Sequence, residues 1–463
     1  MQVRMLSALW AGKITVKLAR LAGGKGSSFP GKVALYLFPQ ALEAWAQKLN
    51  SRIIVVTGTN GKTTTNNMLA SIFSSLGYRV LTNREGANLA SGLASAFIRS
   101  ASWKGNLSCD WALLEVDEAA FSKVTAHLKP AVVVVTNFFR DQLDRYGELD
   151  RTVSLVKEAL SQLPPTKLVL NADDPLVVKL ADTSHPVLFY GIGVPVRAGK
   201  EEESCREARF CPYCGRELQY QYYHYSQLGA YYCPGCGFAR PPTQVEALAV
   251  RILDGHVSCQ VRVGDQVVDC ELPTLGFYNV YNALAVFGVG MWLGLSPEVI
   301  ARELGRYVPA TGRLQRFVHR GRPVYLNLVK NPAGFNETLR LLSMSSETKD
   351  VFIALNDNEA DGRDVSWIWD VDLENLLPRS TVLSFVCSGR RAADMAVRLR
   401  YAGVPLGKIE VLPRLEDGVR TTLGGRGKSV YFLATYSALW PVEKLLRRYG
   451  KEERDADRLP SLS

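Results

Sequence analysis

The chain carries two hydrophobic rhythms. From Ser51 onward, short runs of β-branched and other apolar residues at 53–56, 111–116, 131–136, 167–170 and 186–190 stand between longer stretches of helical periodicity. A strand that is apolar at every position is covered on both faces, so this alternation predicts a parallel sheet flanked by helices. Residues 200–245 break the rhythm with charges, tyrosines and cysteines and read as an inserted module. After it, residues 245–272 alternate apolar and polar positions like antiparallel strands, and 279–304 return to helix. A boundary is expected at 309–312; beyond it, strand-like runs at 324–329, 350–355, 381–387, 408–411 and 429–434 predict a second α/β domain, with a charged, fraying tail from Lys451. The first 50 residues read as helical, with Leu6, Leu9, Trp10, Val16, Leu18 and Leu21 in periodic positions, a Gly/Ser turn at 23–28, and a second amphipathic stretch through Ala44 and Leu49. This segment is expected to pack on the next domain, with contact to a membrane surface as the alternative. The expected division is therefore a helical segment at 1–50, a nucleotide-binding α/β domain at 51–310 and a C-terminal α/β domain at 311–463.

Composition narrows the class. With 463 residues, 47% hydrophobic and 22% charged, the chain has ample apolar content for packed cores and is not predominantly disordered. The formal charge of +10 is spread over both halves and selects no partner. The longest apolar stretches, such as 131–135 and 283–291, fall short of the roughly 18 residues that span a bilayer. Arg4, Lys13, Lys17 and Arg20 interrupt what would have to be the apolar core of a signal peptide, so a cytoplasmic location is expected.

Three groups of residues carry chemistry. The run from Ile53 to Val56 leads into Thr57-Gly58-Thr59-Asn60-Gly61-Lys62-Thr63-Thr64, then a helix. Glycines let backbone amides approach phosphate oxygens, the helix N-terminus favours negative charge, Lys62 can reach the outer phosphates and Thr63 can ligate Mg²⁺. Val56 stands where the full phosphate-loop pattern has its first glycine. The run at 111–116 releases acids at its C-terminal end, where ligands gather in open parallel sheets, and this places Glu115 to hold Mg²⁺ on a nucleotide. Finally, Cys211/Cys214 and Cys233/Cys236 are two CxxC pairs with 18 residues between them, spacing that fits a four-thiolate Zn²⁺ shell in a zinc ribbon. A closed shell of four sulfurs is structural; a redox use of the pairs is the lesser reading. The neighbouring tyrosines lack an accompanying Lys/Arg cluster, which argues against nucleic acid as a partner.

In this order, the motifs at 58–63, 115, 136–137 with 141–144, 171–175, 276–282 and 312–313 resemble the Mur ligase superfamily. Those ligases use ATP to phosphorylate a carboxylate, which an amine then attacks. The resemblance implies a Mur ligase-like central domain carrying the zinc-ribbon insert, followed by the second α/β domain. It further implies that Asn171, Asp173 and Asp174 border the adenine, that Asn279 belongs to the nucleotide site, and that Arg313 at the domain joint reaches the nucleotide on closure. Gln142 replaces a family histidine that binds metal, and the lysine that many members carbamylate falls near Lys157. Only about 50 residues precede the phosphate loop, too few for the family's UDP-binding domain, so the substrate is expected to be held differently. Together with the cysteine module, the segments 331–337 and 356–370 are similar to the MurT branch of the family, the ligase subunits of lipid II isoglutaminyl synthases. That likeness implies amidation of the D-glutamate α-carboxyl of lipid II at the cytoplasmic membrane face, with ammonia from a GatD-like glutaminase partner. It also implies that Asp357, Asp361 or Asp364 completes the partner's catalytic triad. A folylpolyglutamate synthase-like ligase and a zinc-ribbon ATPase acting on nucleic acid are the alternatives.

Overall fold

A computed structural model describes residues 2–21, 27–83, 87–140, 149–182, 184–196, 207–253, 256–309, 312–344, 346–378, 381–449 and the backbone of 451–452. The expected metal-binding segment at 141–144, including Gln142, and most of the tail from Lys451 lie outside the described residues.

The first part of the chain supplies strands β1 (Ile53–Thr57), β2 (Val80–Thr82), β3 (Trp111–Glu115), β4 (Val132–Val135), β5 (Lys167–Asn171) and β6 (Val187–Ile192). A hairpin, β7 (Gln219–Tyr225) and β8 (Leu228–Tyr232), follows, then β9 (Val245–Leu253), β10 (His256–Val263) and β11 (Gln266–Leu272). Nine of these form one sheet in the order β11-β10-β9-β6-β5-β4-β1-β3-β2. Neighbours from β2 across to β9 run parallel, and β10 and β11 are antiparallel additions. All five residues of β1 are buried because the sheet is covered on both faces. Ile53 and Val55 enter one core while Ile54 and Val56 enter the other, which is why the strand is apolar throughout. The second core is closed by the helix Asn279–Leu293, which ends at the left-handed Gly294. A separate helix, Pro297–Leu304, starts at the Ser296 cap, so the helical stretch expected over 279–304 is divided into two helices.

On the opposite face, helices Gln2–Leu21, Phe29–Leu37 and Ala41–Ala46 pack against helix Ala90–Ser100. Gly31 permits this closeness: a Cβ there would sit 1.8 Å from the Ser91 carbonyl oxygen, and its amide donates to Ser95 Oγ at 2.8 Å. The periodic apolar set of the first helix does not bury as one face. Leu9 and Val16 are interior, whereas Trp10, Leu18 and Leu21 are exposed.

The second sheet contains β12 (Arg313–His319), β13 (Arg322–Leu328), β14 (Lys349–Ala354), β15 (Val382–Ser388), β16 (Ile409–Val411), β17 (Ser429–Ala434) and β18 (Lys451–Glu452). Its order is β16-β15-β14-β17-β13-β12-β18, parallel from β16 to β13 and antiparallel at β12 and β18.

A candidate nucleotide site and a four-cysteine cluster

Beside β1 the strand order reverses, placing β3 on one side and β4 on the other, and the loops that leave these strands open a crevice. Gly58 and Gly61 have φ of 112° and 90°. A Cβ on Gly61 would stand 2.2 Å from Asn282 Oδ1, so only glycine fits between the loop and the helix that begins at Asn279. The loop is braced from β4: Thr136 Oγ1 and Asn137 Nδ2 both donate to the Asn60 carbonyl, and the Asn60 amide donates to Asn137 Oδ1 at 2.8 Å. Asn282 Nδ2 donates to Asn279 Oδ1, and Asn282 Oδ1 accepts from Thr65, so Asn279 supports the loop through its neighbour.

Lys62 is buried, and its ammonium donates to the Gly58 and Thr59 carbonyls and to Glu118 Oε2 at 2.8 Å. Burial works against this charge, but Glu118, Asp117 and Glu115 outweigh it and hold the lysine above its ordinary range. Burial likewise opposes the Glu118 charge, and Lys62 and Lys330 outweigh it, so that carboxyl lies below its usual range. Thr63 Oγ1 donates to Glu115 Oε2 at 2.7 Å, so the two groups expected to share a cation are adjacent. The Glu115 backbone is fixed by Asn83, which donates to its carbonyl and accepts from its amide. Glu118 carries no motif of its own; its one signal in the sequence is its place in the acidic run after β3.

The second sheet closes over the loop. Asn331 Nδ2 donates to Asn60 Oδ1 at 3.0 Å, and Asn60 Nδ2 reaches Asn331 Oδ1 at 3.4 Å. Arg313, Lys330 and Glu337 line the same cleft as Asn60, Gly61 and Thr64, with Tyr225 and Tyr278 on its wall. Burial pushes the Tyr278 hydroxyl up to about 12, so it is a neutral donor at physiological pH. Lys330 and Asn331 come to the site only through tertiary closure.

Asn171, Asp173 and Asp174 have no exposed surface. Asn171 donates to the Thr136 carbonyl, and Asp174 accepts from the Phe138 and Leu176 amides. Asp173 accepts from Arg240 Nε at 2.6 Å, the Ile192 amide at 2.9 Å and Tyr281 Oη at 2.8 Å. These bonds tie the three side chains to the backbone at residues 136, 138, 176 and 192 and to Arg240 and Tyr281. Lys157 pairs with Asp182, which also accepts from Tyr213.

In the insert, the four expected cysteine sulfurs lie within 4.8 Å of one another, with 3.6 Å between Cys211 and Cys236 and 3.4 Å between Cys214 and Cys233. The two halves are built alike. Gly215 and Gly237, both at positive φ, each donate a backbone bond to the first cysteine of their own pair. Sulfurs arranged around one zinc at about 2.3 Å stand just under 4 Å apart, so these residues fit that ion. Among the described residues this is the one cluster of metal-ligating type.

Of the three C-terminal aspartates, Asp361 accepts from the Ser437 amide and hydroxyl and from the Asn358 amide. Both oxygens of Asp364 are taken by Ser366. Asp357 follows β14, and its Oδ2 accepts from Arg391 while Oδ1 has no hydrogen bond, although Arg390 Nε is 3.1 Å away.

A phosphate loop at the reversal of a parallel sheet, acids at the end of the adjacent strand and a second α/β unit closing on the loop define a Mur ligase-type fold. Residues 56–229 match the Mur ligase middle domain family, and residues 328–439 match the MurT ligase C-terminal family. The chain is 35% identical over 446 residues, 96% of its length and 98% of theirs, to the lipid II isoglutaminyl synthase (glutamine-hydrolyzing) subunit MurT of Staphylococcus aureus strain N315. It is 34% identical to the same subunit of Streptococcus pneumoniae, over 93% of this chain and 94% of that one. A pseudomurein peptide ligase type C from Methanothermus fervidus shares the fold at a TM-score of 0.65 and 22% identity, covering 86% of this chain and 78% of that one. The chain belongs to the MurT family of Mur ligases.

Proposed function

We propose that this chain is the ligase subunit of a lipid II isoglutaminyl synthase, acting in the cytoplasm at the membrane face together with a GatD-like glutaminase. The observation that carries the reading is the reciprocal Asn60–Asn331 contact, through which the phosphate loop meets the MurT-type C-terminal segment at one cleft. ATP enters that cleft with its phosphates on the loop amides, and Lys62 exchanges Glu118 for the outer phosphates. Thr63 and Glu115 hold Mg²⁺, which neutralises phosphate charge when bound. An oxygen of the D-glutamate α-carboxylate attacks the γ-phosphorus and ADP leaves, giving an acyl phosphate. Ammonia then attacks the acyl carbon, loses a proton and expels phosphate, leaving the carboxamide. The loop contributes position and charge compensation, and Arg313 and Lys330 bring cations from the second domain as the cleft closes. Asn171, Asp173 and Asp174 brace the backbone at residues 136, 138, 176 and 192, and Asn279 steadies the loop through Asn282.

Cys211, Cys214, Cys233 and Cys236 hold a structural Zn²⁺, which ties the two halves of the insert together. Asp357 is the aspartate assigned to the glutaminase, because its carboxylate is held by the side chains of Arg390 and Arg391, which a partner can displace, whereas Asp361 is tied to Ser437 and Asn358 and Asp364 to Ser366. A nucleic-acid-dependent ATPase and a folate ligase both leave the MurT-type C-terminal segment without a task.

The test is mass spectrometry of lipid II incubated with the purified chain, ATP, Mg²⁺ and ammonium, or glutamine plus a glutaminase subunit. A mass loss of about one unit marks carboxyl becoming carboxamide. Lys62→Ala removes it; product formation by that variant, or none by the wild-type chain under either nitrogen source, overturns the reading.

A further inference from the structure

The first helix presents two apolar faces. Met5, Ala8, Leu9 and Val16 point inward against the neighbouring helices, as a globular protein requires. Trp10, Ile14, Leu18 and Leu21, spaced by four, four and three residues, form a second stripe on the opposite side, and all four are exposed. Phe29 and Tyr36 of the next helix extend the uncovered surface at 64% and 87% exposure. Singly exposed apolar side chains are ordinary, but a continuous stripe of this kind marks a surface that is covered in use.

Charge identifies the cover. The first 42 residues contain six Lys and Arg (Arg4, Lys13, Lys17, Arg20, Lys25 and Lys32) and neither Asp nor Glu, so this short segment carries more than half of the chain's surplus of +10. Lys13 and Lys17 flank the stripe, their ammonium groups 5.5 and 5.3 Å from the ring of exposed Trp103, while Trp10 Nε1 donates to the Trp103 carbonyl. Indoles with a polar edge, lysines at their side and aliphatic residues between them suit the headgroup layer of an anionic bilayer. No described helix is long and apolar enough to cross a membrane, so the segment lies along the surface.

We infer that the outer face of the first two helices docks on an anionic lipid bilayer, and that this seats the ligase on the membrane holding its acceptor. A groove supports the arrangement: Lys32 and Tyr36 of the second helix form one end, and Leu89, Lys123 and Asp117 continue it toward the acids that follow β3. A head group entering from the lipid surface passes two lysines before reaching Glu115 and Lys62. The route to the acceptor rests on the function proposed above; the docking face does not.

The experiment is flotation of the full chain with vesicles of phosphatidylglycerol mixed with phosphatidylcholine, or of phosphatidylcholine alone, using wild type and Ile14→Glu/Leu18→Glu. Both positions are exposed, and an unchanged circular dichroism spectrum and melting curve verify the fold. Wild type should float with the anionic vesicles and be released by salt, while the double variant floats at least tenfold less. The two proteins should amidate a short-chain, water-soluble lipid II analogue at equal rates with ammonium, and differ on vesicle-embedded lipid II. Equal flotation of both proteins, or none by wild type, overturns the inference. So does a wild-type dimer in lipid-free solution that the double variant converts to monomer, because the stripe would then cover a second copy. Loss of amidation on both substrates with flotation intact strikes the functional reading and leaves the docking face standing.

Discussion

Glu118→Gln tests the electrostatics of the phosphate loop most directly. Lys62 and Glu118 form a salt bridge at 2.8 Å, with 6% and 3% of their side chains exposed. Removing one member of such a pair costs about 3–5 kcal/mol when the other is left uncompensated. Lys62 is not left bare, because the Gly58 and Thr59 carbonyls still accept from it, Asp117 and Glu115 still favour its charge, and glutamine keeps an acceptor oxygen. The expected loss is therefore about 1.5–3 kcal/mol, or roughly 3–10 °C in melting temperature for a domain of this size. Bound ATP supplies the missing anion, so the deficit should shrink as Mg²⁺-ATP is raised to saturation, and the variant should gain more from nucleotide than wild type does. Differential scanning calorimetry across an ATP titration reads both quantities. Identical apo melting temperatures, or a deficit that stays constant at saturating nucleotide, would refute the exchange of Glu118 for phosphate at Lys62.

The other predictions concern separate parts of the chain. Burial raises Asp174 from 3.8 to about 7, so the native state keeps a proton that the unfolded chain releases; stability should fall as pH rises from about 4 to 7, and a pH series of urea melts should lose that slope in Asp174→Asn. Elemental analysis should find one Zn²⁺ per wild-type chain and almost none in Cys211→Ser, with protease cleavage appearing in the insert; a metal-free wild-type chain contradicts the four-thiolate reading. Asp357→Asn should lower glutamine-driven amidation at least about tenfold while leaving ammonium-driven amidation intact, as expected for a residue that orients the partner's histidine. Asp361→Asn should instead lower the melting temperature, because three hydrogen bonds end on that carboxylate, two of them from Ser437 on a distant segment.

The legible parts of the fold were those where local pattern and tertiary role coincide. β1, β3, β4, β5 and β6 were readable because strands covered on both faces must be apolar at nearly every position. β2 has only three residues, and β12 mixes arginines and a histidine with its apolar positions, so neither stood out as a run. The hairpin β7–β8 was hidden by its tyrosines and glutamines, most of which are stacked or hydrogen-bonded rather than wholly buried. The break between the helices at 279–293 and 297–304 was visible in Gly294, Ser296 and Pro297 but was outweighed by the apolar periodicity on either side. At the site, Lys62, Thr63 and Glu115 were legible because motif and strand end fix them locally. Glu118 and Lys330 were not, and Asn331 stood in a distinctive segment without its contact to the loop being readable, since these roles depend on which distant segments meet. The first helix misled for a physical reason: periodicity detects apolar positions, and a helix apolar on two faces spreads them around its circumference.

The Arg240–Asp173 contact makes the cysteine module a keystone rather than an ornament. The module lends a counter-charge to a carboxylate at the centre of its host, and Gln227 from its hairpin donates to the Phe138 carbonyl, one residue before the Phe139 amide and carbonyl that engage Thr59 of the phosphate loop. Excising residues 207–243 would therefore strand Asp173 and unfasten a support of the loop together. The insert is not a portable cassette. A lineage that acquired or discarded it would have to change residue 173 and its neighbours in the same step, so host and graft are bound to evolve as one unit.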